Sequence, residues 1–267
     1  MPILTEPNST QWTDPDTVDR AVVTYWAQLA EIGDVEREPH NHKKRQIILV
    51  ERGALSCEVA GGLWIVPPRS AIWIPGGALH AIKGSRIEGY NAFIAPDAAC
   101  DLPTTCCVLS VTPLLRELMI RSASLPLLYD EASASSRMVT VMLDEIATAQ
   151  LENLHLPMPA DSRLRGLVEQ MLKSPSVRGT MEFWAERACV SERTLARLVE
   201  RETGMSFGRW REQLTIMLAV KRMAEGVSVH AVASDLGYDS SPSFITMFKK
   251  AMGAPPARYM AERHTAR

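Results

Sequence analysis

The stretch from Val229 to Tyr259, VHAVASDLGYDSSPSFITMFKKAMGAPPARY, leaves few folds open, because its spacing demands two short helices around a tight turn. Val229, Val232, Ala233 and Leu236 recur at helical spacing. Gly237 is placed to end that helix, and Ser240 to cap the next with its side-chain oxygen. At about 100° per residue, Phe244, Met247, Phe248 and Ala251 gather on one side of the second helix, while Pro242, Ile245, Thr246 and Lys249 fall on the other. A short helix with an apolar inner face and a small, polar or basic outer face suits a DNA major groove.

A similar unit lies upstream. Thr180 to Ser191 leads into a helix for which Ser191 is the expected N-cap and Gly204 the expected stop. There Leu195, Leu198 and Val199 face inward, so Arg193, Ala196, Arg197 and Glu200 face out. Ahead of it, Asp161 is placed to cap a helix running to Lys173, with Leu164, Leu167, Val168, Met171 and Leu172 inward. Between the two units Ser206 to Glu225 reads as a helix of roughly 30 Å, apolar on most sides and therefore buried. It can hold two reader helices near the ~34 Å repeat of B-DNA. Ser191 and Ser240 begin the two readers, a weak internal repeat.

The order Gly237, Tyr238, then Ser240 with Phe244, then Phe248, Lys249 and Lys250, then Gly253, Pro255, Pro256 and Tyr259 resembles the C-terminal signature of AraC/XylS-type transcription regulators. The resemblance implies sequence-specific binding to double-stranded DNA. Its relatives use the positions of Arg193, Ala196 and Arg197 to reach bases. The reading set is thus Ser191, Arg193, Thr194, Ala196 and Arg197 in the first unit, and Ser240, Ser243, Thr246 and Lys249 in the second. Arg193 and Arg197 can each grip a guanine through O6 and N7, worth about 1–3 kcal/mol of discrimination apiece; surface solubility or phosphate contact is the alternative for each. Glu192 and Glu200 would repel phosphates unless they pair with Arg193, Arg197 or Arg201. Thr246 stands where relatives often carry Arg, so the second reader is chemically poorer.

The N-terminal half has a different texture. Residues 1–20 are polar and expected to fray. From Val22 a first strand is expected, a short helix being the alternative. Short β-rich runs follow at 46–50, 54–59, 63–66, 71–74, 80–82 and 90–94, punctuated by glycine and proline, among them Gly53 and Gly84. A strand at 106–111 closes an all-β sandwich or barrel. Within it His40, His42, Gln46 and Gly53, then Pro75, Gly77 and His80, resemble the two motifs of cupin barrels. In metal-bound cupins two His, an acidic residue and a later His form a facial cluster. Here Gln46 stands for the expected Glu and Gly84 for a frequent Asn, and a neutral Gln gives an ion no charge neutralisation. Three readings stay open: a divalent site for Ni, Zn, Fe or Cu, a metal-free effector pocket, or a polar rim shared with Lys43, Lys44 and Arg45.

Pro113 is expected to open a helix with Leu114, Leu115, Leu118 and Met119 along one face. A second, from about Ser133 to Gln150, carries Met138, Val141, Met142, Glu145 and Ile146 on its main face, leaving Val139, Leu143 and Ala147 as apolar surplus. By resemblance this region carries a homodimer contact. Leu151 to Pro159 reads as an extended linker, since Pro157 and Pro159 cannot continue a helix. The expected organisation is α+β with two domains: a cupin-like β-barrel sensor at 1–112, a helical dimerisation region and linker at 113–159, and an all-α double helix-turn-helix at 160–267.

Charge agrees with that division. Residues 1–160 hold 12 Lys and Arg against 19 Asp and Glu, and residues 161–267 hold 17 against 12, which puts the basic surplus beside the reader helices. The five cysteines, Cys57, Cys100, Cys106, Cys107 and Cys189, lack C-x-x-C spacing and read as reduced thiols. The Cys106, Cys107 pair is a lesser candidate for soft-metal binding or oxidation sensing. No signal peptide or ~20-residue apolar span is evident, so a cytoplasmic location without membrane contact is expected. The function that follows is a DNA-binding transcription regulator, activator or repressor, controlled by a small molecule or metal, homodimeric and acting on RNA polymerase. The alternative is a cupin-type metal-dependent dioxygenase or isomerase with an appended helical domain.

Overall fold

The computed structural model of the chain describes residues 3–4, 13–59, 61–99 and 101–264, side chains at 3–4, 29–37, 85–86 and 264 excepted. The chain divides into two compact units, Met1–Ala60 with Trp64–Leu154, and Gly61–Leu63 with His155–Arg267.

The first unit is built on one bent sheet. Its strands are β1 (Ile3–Leu4), β2 (Val22–His40), β3 (Arg45–Val59), β4 (Gly62–Val66), β5 (Ser70–Ile74), β6 (His80–Ile94), β7 (Cys107–Ser110) and β8 (Leu151–Glu152). They lie in the order β1-β2-β6-β3-β5-β7-β8, with β4 on β3. β1 is parallel to β2, and the ladders β2–β6, β3–β6, β3–β5, β5–β7 and β7–β8 are antiparallel. Gly53 and Gly84 do not break strands as expected. β3 passes through Gly53 at φ 76°, where register shifts around Arg52 mark a bulge that absorbs the left-handed residue. Gly84 is needed for close approach, since a Cβ there would fall 2.8 Å from the backbone Ala54 O of β3.

The segment before β2 is packed at residues 13–20, contrary to the expectation of fraying; residues 1–2 and 5–12 lie outside the described residues. Asp14 caps a 3-10 turn at Pro15–Thr17. Asp16 accepts from the Lys43 and Lys44 amides at 2.7 and 2.9 Å. The Lys44 ammonium donates to Val18 O and Arg20 O at 2.6 and 3.0 Å. Lys44 is buried and so is no part of a polar rim. A buried ammonium is tolerated only with such partners.

Two helices, α1 (Pro113–Ser122) and α2 (Ala134–Ala147), share a core with the sheet. The buried stripe of α2 is Val139, Met142, Leu143 and Ile146, while Val141 is 44% exposed. The expected surplus is therefore core, and part of the expected face is solvent-side. Glu145 decides the rotation. It lies one turn beyond Val141 on the same side, and its carboxylate accepts from Thr112 Oγ1 at an exposed edge (2.8 Å) rather than being buried unpaired. Leu114 on α1 is likewise exposed.

The second unit opens with β9 (His155–Pro157) and continues with α3 (Ser162–Lys173), α4 (Met181–Arg187), α5 (Glu192–Thr203), α6 (Phe207–Ala224), α7 (Val229–Asp235), α8 (Ser241–Met252) and α9 (Pro256–His264). Asp161, Thr180, Ser191, Ser206 and Ser228 each accept a backbone N–H with their side chains and fix the starts of α3 to α7. α6 buries Phe207, Trp210, Leu214, Ile216, Met217, Ala219, Val220 and Met223, which lie on most of its sides, while Gly208, Arg209 and Glu212 stay exposed. Its indole and amide donors close on β9, Trp210 Nε1 to Pro157 O at 2.8 Å and Gln213 Nε2 to His155 O at 3.2 Å.

The α3–α4 loop packs on the turn between α7 and α8. Gly237 sits there at φ +72°, and a Cβ would fall 2.2 Å from Ser176 O, while Arg178 stacks on Tyr238 at 4.0 Å. No helix among the described residues is long and apolar enough to cross a membrane. Gly237→Ala adds a backbone clash to left-handed strain and is expected to cost about 2–5 kcal/mol. Gly204→Ala, at φ +69° with open space around it, is expected to cost only about 1–2 kcal/mol. Guanidinium unfolding of the two variants checks the difference.

Candidate functional sites

On α5 the inward residues Leu195, Leu198 and Val199 are buried. Arg193, Arg197 and Glu200 are exposed, and Thr194 and Ala196 half-buried. Ser191 Oγ accepts from Thr194 N at 3.2 Å and bonds Thr194 Oγ1 at 2.9 Å, so these two fasten the helix start instead of pointing freely outward. Among the described residues Arg193 and Arg197 make no ion pair. Arg201 instead pairs with Glu202 at 2.8 Å, so the pairings that would mask Glu192 and Glu200 are not made. Two guanidiniums and their donors are left presented to solvent from a rigid, capped helix.

The second reader is set differently. Phe244 and Phe248 are buried, Met247 half-buried, and Ala251 exposed rather than inward. Ser240 occupies the N-cap but makes no cap bond, contrary to expectation; its Oγ bonds Ser243 Oγ at 3.0 Å. Pro242 in the first turn has no N–H to offer, which removes one of the donors a cap would serve. Thr246 Oγ1 donates to Pro242 O at 2.9 Å, and Lys249 is exposed. Sequence reasoning passed over His230, whose Nδ1 lies 2.9 Å from Ser241 Oγ. An exposed His beside a helix start carried no periodic signal.

In the first unit β2, β3 and β6 bring His40, His42, Gln46 and His80 together. Ring centroids are 4.3 Å apart for His40 and His80, 5.1 Å for His42 and His80, and 6.3 Å for His40 and His42. Beside them opens a cavity of about 170 Å³ lined by His40, Asn41, His42, Gln46 and Asn91 and by the apolar Ile48, Leu55, Ile82, Ile87 and Phe93. Each imidazole lays Nδ1 against a backbone carbonyl: His40 on Glu38 O at 2.9 Å, His42 on Lys44 O at 2.6 Å, His80 on Ala78 O at 2.9 Å. A carbonyl only accepts, so Nδ1 carries the proton in all three.

The remaining nitrogens differ. His42 Nε2 lies 2.9 Å from the Gln46 amide, whose other end lies 2.9 Å from the Asn91 amide. Turning both carboxamides gives an unbroken donor chain, Asn91 to Gln46 to His42 to Lys44 O. His80 Nε2 is buried with no hydrogen-bond partner, a cost of about 1–3 kcal/mol for an acceptor. A metal does not fit this set as it stands. Both His42 nitrogens and both ends of Gln46 are engaged, and among the described residues no three His, Cys, Asp or Glu side chains are placed to hold an ion. Burial pushes the thiol of Cys57 up to about 12, that of Cys107 to about 11, and that of Cys106 up as well, which disfavours their thiolates. Cys100 lies outside the described residues.

The family described as "Helix-turn-helix domain" matches residues 184–262. Over 253 residues, 94% of this chain and 92% of the relative, the sequence is 40% identical to the HTH-type transcriptional regulator NimR of Escherichia coli (strain K12). It is 28% identical over 139 residues to the arabinose operon regulatory protein of Salmonella typhimurium, covering 50% of this chain and 47% of that one. The chain belongs to the AraC family of helix-turn-helix transcription regulators. Among solved structures, ToxT from Vibrio cholerae is similar at 10% identity and a TM-score of 0.39, over 92% of this chain and 100% of that one.

For this AraC-family protein the two solvent-facing helices are parts of a DNA-binding domain, and its relatives are named regulators. The histidine cluster belongs to the other unit and has its own signature in pH. Burial holds the His80 pKa down, to about 4, with the neighbouring His40 and His42 adding to the shift and the bond to Ala78 O opposing it. An unfolded His titrates near 6.5, so between pH 6.5 and 4 the unfolded chain binds more protons than the folded one. Stability is therefore full above pH 6.5 and is lost as pH falls towards 4, by about 3 kcal/mol. Urea unfolding at stepped pH is expected to show this loss, and His80→Gln to flatten it.

Proposed function

We propose that this AraC-family regulator chooses its operator mainly through α5, with Arg193 and Arg197 on base edges and Ala196 allowing close approach. Ser191 and Thr194 hold that helix in register. Ser240, Ser243, Thr246 and Lys249 of α8 add weaker base or phosphate contacts. The observation that carries this reading is the pair of outward guanidiniums on a helix whose other face is fully buried. The N-terminal unit, residues 1–112 with the helices that cover it, serves as the sensor, its cavity taking a small-molecule effector. It is a sensor and not a dioxygenase or isomerase, because the carboxylate such a cupin would use is replaced by Gln46, held between His42 and Asn91. The chain works in the cytoplasm as a homodimer and signals to RNA polymerase. The dimer forms through the outer faces of α1 and α2, where Leu114 and Val141 stay exposed.

Arg193→Ala is expected to relax sequence choice at one base pair by about 1–3 kcal/mol. Lys249→Ala is expected to weaken all sites alike and to lower the salt slope by about 1. Fluorescence anisotropy on a panel of mismatched operators at several salt concentrations separates the two; equal and sequence-independent losses would count against α5 as the reader. Sedimentation of a Leu114→Glu, Val141→Glu double variant checks the dimer face, with a shift to monomer expected.

A further inference from the structure

We propose that the second unit carries a ligand site of its own, a groove between the α3–α4 loop, α6 and the α7–α8 turn. It takes a small phosphate ester bearing a hydroxyl group, with Arg178 and Arg211 on the phosphate and Glu212 on the hydroxyl. The site is separate from the reader residues and from the N-terminal cavity, and depends on neither.

The groove has a volume of about 310 Å³, and Arg178, Arg211, Glu212, Tyr238, Leu236 and Met247 are among its walls. It follows the open strip of α6, where Gly208 adds no side chain to fill it. Its two guanidiniums are fixed before any ligand arrives. Arg211 is half-buried, donates through Nη1 to Gly179 O at 2.7 Å, and lies over the Trp184 and Phe207 rings at 5.7 and 5.6 Å. Arg178 lies over the Tyr238 ring at 4.0 Å. Neither makes an ion pair among the described residues. Burial holds the Arg211 pKa below its ordinary value, and the charge of Arg178 adds to that shift. Arginine does not shed its proton in a protein, so an anion is what relieves the repulsion.

The chemistry of the walls selects the anion. One guanidinium comes from a loop and the other from a helix. A tetrahedral phosphate spreads its acceptors in three dimensions and does not require the two forks to share a plane, as a carboxylate does. Glu212 favours a small molecule over the DNA backbone. It lines the same groove, is exposed, and has no ion-pair partner among the described residues. A polyanion laid across the groove would meet that carboxylate as a like charge, whereas a compact ester can turn a hydroxyl donor to it. The Tyr238 ring is covered by Arg178 and packed against Phe244 at 5.4 Å, which favours a sugar phosphate over a stacked base. Thr215 Oγ1 is spent on Arg211 O at 2.9 Å, while the apolar Leu236 and Met247 can take the carbon skeleton.

Calorimetric titration of the full chain with glucose 6-phosphate, inorganic phosphate and glucose tests the site. One equivalent of glucose 6-phosphate is expected to bind, about tenfold more tightly than inorganic phosphate, and glucose not at all. Arg178→Gln and Arg211→Gln are each expected to weaken both phosphates about tenfold, the loss of one charge-assisted hydrogen bond. Glu212→Gln is expected to narrow the gap between the two phosphates. Arg178 and Glu212 are exposed, so their variants keep the test decisive if the half-buried Arg211 variant fails to fold. No binding of either phosphate, or binding that Arg178→Gln leaves unchanged, would overturn the proposal. Equal binding of the two phosphates, unaltered by Glu212→Gln, would overturn the ester class. Operator binding at several salt concentrations separates the other source of phosphate. A salt slope lowered by about 1 in Arg178→Gln, with no binding of the free phosphates, would make the pair a backbone contact and overturn the ligand site.

Discussion

A helix that is apolar on most sides must be covered on most sides, and α6 is such a helix, open to water only along a strip through Gly208, Arg211 and Thr215. Everything in the second unit follows from covering it. α5 and α7 pack against it, α7 turns into α8, and β9 receives its indole and amide donors. Because α6 is 18 residues long, about 27 Å at 1.5 Å per residue, its covering elements are held apart by a fixed length. The reader helices then need only a buried inner stripe and a cap to present their outer residues. Sequence choice is carried by side chains that contribute little to stability, while the scaffold is carried by side chains that never meet DNA.

The first unit follows a complementary rule. Its buried and half-buried polar groups are held by backbone carbonyls or neighbouring side chains: Lys44 by Val18 O and Arg20 O, His42 by Lys44 O and the Gln46 amide, and Ser122 by the Thr24 hydroxyl at 2.8 Å. Among the described residues of this unit the exception is His80 Nε2. That one unpaired nitrogen carries a desolvation cost which the other buried polar groups avoid by pairing.

Much of the second unit was legible in the sequence because its signals are local. Caps at Asp161, Ser191 and Ser206 and stops at Gly204 and Gly237 fix helix ends within a residue or two, and helical spacing fixes the buried faces. The misses are tertiary. Val139 and Leu143 against Met138 and Val141 is a choice between two apolar stripes, and only the sheet beneath and the half-buried Glu145, paired with Thr112, settle it. Gly53 and Gly84 look like turns in any single strand, since bulges and close approaches are properties of pairs of strands. Residues 13–20 look like a loose tail until Asp16 finds the amides of Lys43 and Lys44, 27 and 28 positions away. The pairing of His42 with Gln46 was within reach, four residues apart across the entry to β3, but the engagement of both ring nitrogens was not.

The contact of Gly237 with Ser176 O bears on how such a domain is inherited. The backbone of the α3–α4 loop fills the space where a side chain would stand at the turn of the second helix-turn-helix, and Arg178 lies over Tyr238 beside it. The placement of the second reader thus depends on a loop that precedes the first. The two readers look like copies of one module, yet neither half carries its own complete framework, so a recombination that exchanged one without the other would break the seam. Whatever doubling produced the pair, the unit that passes between proteins is now the whole of it.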